Sequence, residues 1–454
     1  MSTSAIDAEA ALTGEAGVDE LRRQSVGPHA LDALGDVVDG MLEGGASLDR
    51  LVLRRVKWKP ARKLTTSFDA VVRLPGGAPI VRPLVVVRRP RAPARRRPAS
   101  ALEERARHVR PADPFRRLAA ELPGGMGTVA AWPLDPRFPQ LVDLSDTGYM
   151  DSFLARSGIR ARASEIDPLR YRPGERHLLR VDLAPPGDGA ATGDGAETGA
   201  PAVYVKLGAT IDPSSVRRAT RLVADAVERS GSGATVVRPL EGWSFNGSVA
   251  FPEASGEPLP ALLARSDPEV PMVLDRVIRA VAAIHGETGT ELPRRRPSDE
   301  VEATARACEH VVVASSAGRR VPTLLARIEA VLRQDGPRPC LIHGDLKADH
   351  VWVDGSSIRL LDVGTHAGPP GIDLGKFLAD LLWWRRKSNE DTAVASFVAE
   401  VDPGDEHLRS WTALFILRLA GHRPSLFDDG WEADTTSLVL EAERVLEGGA
   451  DALG

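Results

Sequence analysis

The sequence predicts an α+β fold in which a β-rich lobe precedes an α-rich one, and two observations carry that reading. Short runs of β-branched and apolar residues, cut by turn residues, recur through the first 255 positions as VLRRVKWKP, SFDAVVRLP, PLVVVRRP, RYRPGERHLLRVDL and VYVKLGA. Such runs are the mark of antiparallel meanders. From position 256 the apolar residues change to spacings of three and four, in VLDRVIRAVAAIHG, VPTLLARIEAVLRQ, LGKFLADLLWW, LRSWTALFILRLAG and TSLVLEAERVLEG. That is the period of amphipathic helices.

A chain of 454 residues with 43% hydrophobic content is long enough for two or three domains with real cores. A net charge of -5 argues against a whole-protein role in nucleic-acid binding, although residues 54–117 are crowded with Arg and Lys and residues 388–454 are mostly acidic. Cys308 and Cys340 have neither metal-site nor CxxC spacing, so no disulfide framework or zinc site is indicated. No apolar run reaches the ~18 residues of a membrane span, and the acidic N-terminus has no apolar leader. The expectation is a cytoplasmic protein with no nucleic-acid or membrane partner; the oligomeric state is not legible.

Residues 1–45, rich in Ala, Gly and acids, read as a flexible arm with one docked helix. Residues 46–150 read as a β-rich cap in which a three-stranded meander is followed by a proline-interrupted basic linker (RRPRAPARRRPAS) and ends at a proline-punctuated boundary (AAWPLDPRFPQLVDLSD). Residues 151–255 repeat the order strand, turn, strand, loop, strand, and residues 256–454 form the helical lobe. The two β regions share a signature, Lys57-Trp58-Lys59-Pro60 and Arg170-Tyr171-Arg172-Pro173. The cap is read as a partial duplicate of the second β lobe, with PLVVVRRP in the place of VYVKL and Arg88 or Arg89 near the position of Lys206.

The chemistry is concentrated in LIHGDLKADHVWV (341–353), IRLLDVG (358–364) and GIDLG (371–375). Together with the upstream strand VYVK, these motifs resemble the aminoglycoside phosphotransferase family, a branch of the protein-kinase-like superfamily, over roughly residues 165–425. The resemblance implies a bilobal protein-kinase-like fold with an antiparallel β small lobe and a helical large lobe, here preceded by the cap. It also implies an ATP- and Mg²⁺-dependent kinase with an alcohol group of a small molecule as acceptor, aminoglycoside-like or sugar-like, in the style of antibiotic-resistance enzymes.

On that resemblance, Asp345 is the base that takes the proton of the attacking hydroxyl. Lys347 reaches the γ-phosphate, and Asp362 is a hard oxygen ligand for Mg²⁺. His350 stands where the family usually has Asn, and a neutral imidazole is a softer ligand, better suited to Zn²⁺ or Mn²⁺ than to Mg²⁺. His343 braces the loop through backbone contacts, and Asp373 steadies the loop or caps a helix. In the β lobe, Lys206 pairs with the α and β phosphates. Asp225 or Glu228 is available to hold that lysine, Arg172 and Gly174 form the turn over the nucleotide, and Pro252 and Glu253 lie at the hinge near the purine. Trp383 and Trp384 read as core filling, and the acid-rich EVDPGDEH and FDDGWEAD as surface segments. The alternative function is a nucleotide-binding pseudokinase, suggested by His350 and by the unassigned partner of Lys206.

Overall fold

A computed structural model describes residues 9–90, 100–109, 112–125, 127–184, 201–243, 245, 247–288, 291–334, 336–387, 394, 397, 401 and 405–448. The described chain falls into two compact units, one of Met1–Pro213, Leu240–Glu253 and Ser425–Phe427, the other of Ser214–Pro239, Ala254–Pro424 and Asp428–Gly454. The expected α+β class is what the chain adopts, with antiparallel sheets, a helical lobe and a β-rich region ahead of them. Among the described residues, no helix is long and apolar enough to cross a membrane.

In the first unit a helical stretch over residues 9–13 precedes the helices Gly17–Val26 and Pro28–Asp39, where one helix was expected. Then come β1 (Ser47–Lys59), β2 (Lys63–Arg73), β3 (Ile80–Arg88), β4 (Ala119–Glu121) and β5 (Gly127–Ala131), in the sheet order β1-β2-β3-β5-β4. Alternation explains the strands: Leu64, Thr66, Phe68 and Ala70 of β2 are buried while the residues between them are half-exposed. Leu34 and Val38 of the second helix join Phe68, Leu84 and Val86 in one apolar cluster.

A second sheet in the same unit contains β6 (Arg162–Arg172), β7 (Arg176–Ala184) and β8 (Ala202–Gly208). The chain then passes through β9 (Ala234–Val236) of the other unit before β10 (Ser248–Pro252) completes the order β10-β8-β7-β6. Trp132, Tyr171, Leu179, Val205 and Trp243 share its core. Residues 185–200, most of the Gly/Pro/Ala-rich insertion, and residues 91–99 of the basic linker lie outside the described residues.

The first meander has five strands rather than the three expected, because the short segments 119–121 and 127–131 extend it beyond β3. The register places Arg88 next to, and not at, the position equivalent to Lys206. Lys206 lies opposite Leu178. Counting from the shared tips, Leu178 corresponds to Thr65, whose partner is Val87. Arg88 pairs with Leu64 and so takes the place of Leu207. A shift of one residue turns a side chain to the opposite face.

The helix Pro213–Ser230 buries Ala219, Val223, Ala226 and Val227 on one face. A small sheet runs β11 (Glu257–Pro258), β13 (Val351–Asp354), β14 (Ser357–Leu360) and β9, while β12 (Cys340–Leu341) pairs with β15 (Ala367–Gly368). The helices Val270–Gly286, Gly371–Lys387, Glu406–Ala420 and Trp431–Glu447 enclose one apolar core. Gly371 and Gly375 permit the closest of these packings, since a Cβ at either would overlap Trp411. Trp383 is buried in that core, and the Arg423 guanidinium lies 5.5 Å from the Trp384 ring centre.

Candidate active site

The start of the loop after β12 is held by a buried carboxylate. Asp373, in the first turn of Gly371–Lys387, accepts hydrogen bonds from the backbone N–H groups of His343 and Gly344, both at 2.7 Å. His285 Nε2 lies 3.1 Å from the same side chain. Burial would raise the Asp373 carboxyl, but the His285 and His343 rings and the Gly344 N–H outweigh it and hold it low. Asp373 therefore steadies the loop, the first of the two roles expected for it. Gly344 has φ +78°, a left-handed conformation that glycine adopts without strain. Its carbonyl accepts from Arg295 at 2.9 Å. His343 is fully buried, and its Nδ1 accepts weakly from the Asp345 N–H at 3.4 Å, the bracing contact expected of it.

The hairpin of β13 and β14 brings the two ends of the motif together. Val351 pairs with Leu360, and the Leu361 N–H donates to the His350 carbonyl at 2.9 Å. Asp345, His350 and Asp362, seventeen positions apart from first to last, thus converge, each with a ligand atom within 4.8 Å of the others. His350 Nδ1 lies 2.8 Å from the Asp345 carbonyl, and its Nε2 lies 3.5 Å from Asp362 Oδ2. Burial pushes the imidazole down to about 4 despite the two acids beside it, so at neutral pH the ring carries a lone pair. Asp362 has φ +64°, a conformation that costs an Asp ~1–3 kcal/mol and that gathers at functional sites.

Two carboxylates and a neutral imidazole at this spacing fit a divalent cation that keeps part of its water shell. Asp362 and His350 are the residues that would hold it.

Lys376 donates to Asp345 Oδ1. Burial would raise the Asp345 carboxyl, yet Lys376, His350 and Lys347 hold it well below the usual carboxylate range. Lys347 Nζ lies 3.6 Å from Asp349, which Arg423 also approaches at 3.3 Å. Arg423 further donates at 2.6 Å to the buried Asp380, which accepts from the Ala348 N–H at 2.9 Å. Sequence reasoning missed Lys376, Asp380 and Arg423. Lys376 had a signal: it follows Asp373 by three positions, which puts both side chains on the loop-facing side of one helix.

The remaining expected residues are placed as follows. Asp225 lies 3.3 Å and Glu228 2.8 Å from Arg238 in the second unit. In the first unit, Lys206 on β8 stands 5.3 Å from the Phe251 ring centre. Pro252 ends β10 opposite Val203. The Glu253 N–H donates to the Ala202 carbonyl at 3.0 Å, and its carboxylate accepts from the Tyr204 hydroxyl at 3.0 Å. Arg172 is half-buried at the tip of β6. Gly174, in the turn, donates its N–H to Asp135 Oδ2 at 2.7 Å and accepts from Arg137 at 2.9 Å.

Comparison with solved structures finds a thermostable mutant of aminoglycoside phosphotransferase APH(4)-Ia in ternary complex with AMP-PNP and hygromycin B. It is 17% identical, covers 66% of this chain and 98% of its own, and has a TM-score of 0.45. A choline/ethanolamine kinase family protein from Mesorhizobium loti is 13% identical, covers 64% and 92%, and has a TM-score of 0.36. A choline kinase from Cryptosporidium parvum Iowa II is 9% identical, covers 66% and 96%, and has a TM-score of 0.44. Among curated proteins, none matches the chain. The sequence model of the phosphotransferase enzyme family matches residues 217–411, a span that holds Asp345, Lys347, His350 and Asp362 and leaves Arg172, Gly174 and Lys206 outside. The resemblance read from the motifs stands over residues 217–411, the stretch of this chain that matches the sequence model of the phosphotransferase enzyme family.

Proposed function

We propose that this chain transfers the γ-phosphate of ATP to an alcohol oxygen of a small molecule. The observation that carries the proposal is the meeting of Asp345, His350 and Asp362 at the two ends of one hairpin, with their ligand atoms within 4.8 Å. Asp345 stays ionised at neutral pH, since its neighbours hold its carboxyl low, and so accepts the hydrogen bond of an incoming hydroxyl. A base placed in this way contributes ~10²–10⁴ in rate. Lys347 and Lys376 bring positive charge to the side of the loop where the transferred group would pass. Asp362 and His350 would hold a divalent cation, which when bound neutralises charge on the phosphates. Lys206, Arg172, Gly174, Pro252 and Glu253 remain the residues assigned to the nucleotide.

The binding-only reading is favoured by one observation, the occupation of Asp345 by Lys376. One substitution separates the two. Asp345→Asn leaves nucleotide affinity within about twofold and abolishes phosphate transfer, because a base acts only as the hydroxyl loses its proton. The check is ATP binding by calorimetry beside product formation over a panel of aminoglycoside, amino-alcohol and sugar acceptors with Mg²⁺ or Mn²⁺. Nucleotide binding by the unaltered protein without turnover on any acceptor would establish the binding-only reading instead.

A further inference from the structure

The two sheets of the first unit meet at two hairpin tips of the same make. β1 and β2 turn through residues 60–62 with Lys59 directly opposite Lys63, and β6 and β7 turn through residues 173–175 with Arg172 directly opposite Arg176. Like charges in directly opposed positions destabilise a hairpin, and here both tips carry such a pair. Alternation adds to the effect. Trp58 and Tyr171 turn into the core, at 4% and 6% exposure, so Arg55, Lys57 and Lys59 share the other face of β1, and Arg170 and Arg172 the other face of β6.

The tips touch. Lys57 Nζ donates to Glu175 at 2.7 Å, and Arg137 and Asp135 hold the carbonyl and the N–H of Gly174. The cations accordingly act on one another. Arg172 falls to about 9 through burial and then through the charges of Arg55, Arg176 and Arg170. Burial lowers Arg55, Lys57 and Lys63 as well, each with neighbouring cations adding to the effect. The Glu175 carboxylate works against this effect at Arg55, Lys57, Lys63 and Arg172. Half-buried mutual repulsion of this kind has no use to the fold. A multiply charged anion would relieve it.

We propose that the paired tips of β1–β2 and β6–β7 form a binding site for a molecule with clustered phosphates, held by Arg55, Lys59, Lys63, Arg172 and Arg176. The guanidinium forks suit phosphate oxygens, and two opposed cation pairs suit several linked phosphates better than one. The source is either the triphosphate of a nucleotide or a separate oligophosphate. The site draws residues from the N-terminal sheet and does not require the transfer reaction proposed above, because its test reads binding alone.

The test titrates inorganic tripolyphosphate and inorganic phosphate into the full chain by calorimetry. Tripolyphosphate is expected to bind about tenfold or more tightly than phosphate, and less tightly as salt rises. Lys59→Ala/Lys63→Ala should weaken it about tenfold or more, whereas Arg54→Ala, which removes an exposed cation paired with Asp69, should not. Without ligand, the double variant should also melt higher, since it loses repulsion. Competition by ATP would identify the ligand as the nucleotide's own triphosphate, and simultaneous binding of both would identify a separate oligophosphate. Absence of tripolyphosphate binding, equal loss in the double variant and Arg54→Ala, or binding of single-stranded RNA alone would overturn the proposal.

Discussion

The Lys376 ammonium sits between the carboxylate of Asp345 and the ring of Phe415, 5.8 Å from the ring centre. It is the strongest of the charges that hold that carboxyl low against its burial. Lys376→Met removes the charge and keeps the length of the side chain. The Asp345 pKa then rises, and the acidic limb of the pH profile of kcat/KM moves to higher pH. At neutral pH the loss in rate is smaller than for Asp345→Asn. A profile with an unmoved acidic limb would separate the two residues.

Asp373 satisfies two buried N–H groups and faces His285 with one carboxylate. Asn offers one oxygen where two are needed, so Asp373→Asn leaves a buried donor unanswered. The expected cost is ~1–3 kcal/mol in urea unfolding. The loop that carries Asp345 loosens with it, so activity falls by more than stability alone accounts for.

Three buried or half-buried histidines set an acid limit. Burial pushes His310 and His350 down to about 4 and lowers His343, against an ordinary value of ~6.5 in the unfolded chain. The folded values lie below the unfolded one, so between them the unfolded chain binds more protons and stability rises with pH. Their contribution is therefore complete above about 6.5 and is lost as pH falls toward about 4. Melting temperatures across this window should drop on acidification. In His310→Gln, which lies beside Trp431 and away from the loop, the drop should be shallower.

Much of this was legible in the sequence. The turn residues between VWV and IRL announce a hairpin, and a hairpin is what lets Asp345 and Asp362 meet. The helical lobe was equally plain from its apolar spacing. The spacing from Asp373 places Lys376 on the loop-facing side of its helix, but its contact with Asp345 was not legible, because that depends on where the helix is laid against the loop. The same holds for Asp135, which reaches His177 Nε2 at 2.8 Å from 42 positions away. The segments AAE and GTVAA were too short to read as strands, and they became so by pairing with β3 and each other.

Gly375 stands where the helices Gly371–Lys387 and Glu406–Ala420 come closest, and a Cβ there would overlap Trp411. Gly375→Ala should destabilise by ~1–3 kcal/mol despite the better helix propensity of Ala. Gly371→Ala differs in kind, because its Cβ would meet the Trp411 indole; combined with Trp411→Ala, its added cost should be less than additive, since the second change opens the space the first one needs. Thermal melts of the single and double variants provide the check.

The Tyr171 hydroxyl donates to the Leu134 carbonyl at 2.5 Å, and His177 and the Gly174 N–H both rest on Asp135. The second sheet therefore completes its interior with groups that belong to an earlier stretch of chain. Shortening the protein from its beginning past Asp135 strips these partners from a buried tyrosine and a buried histidine at once. The first 150 residues are accordingly not a detachable module. A ribosome must have made them before the second sheet can close, which sets an order of assembly during synthesis: the early meander first, the later one upon it.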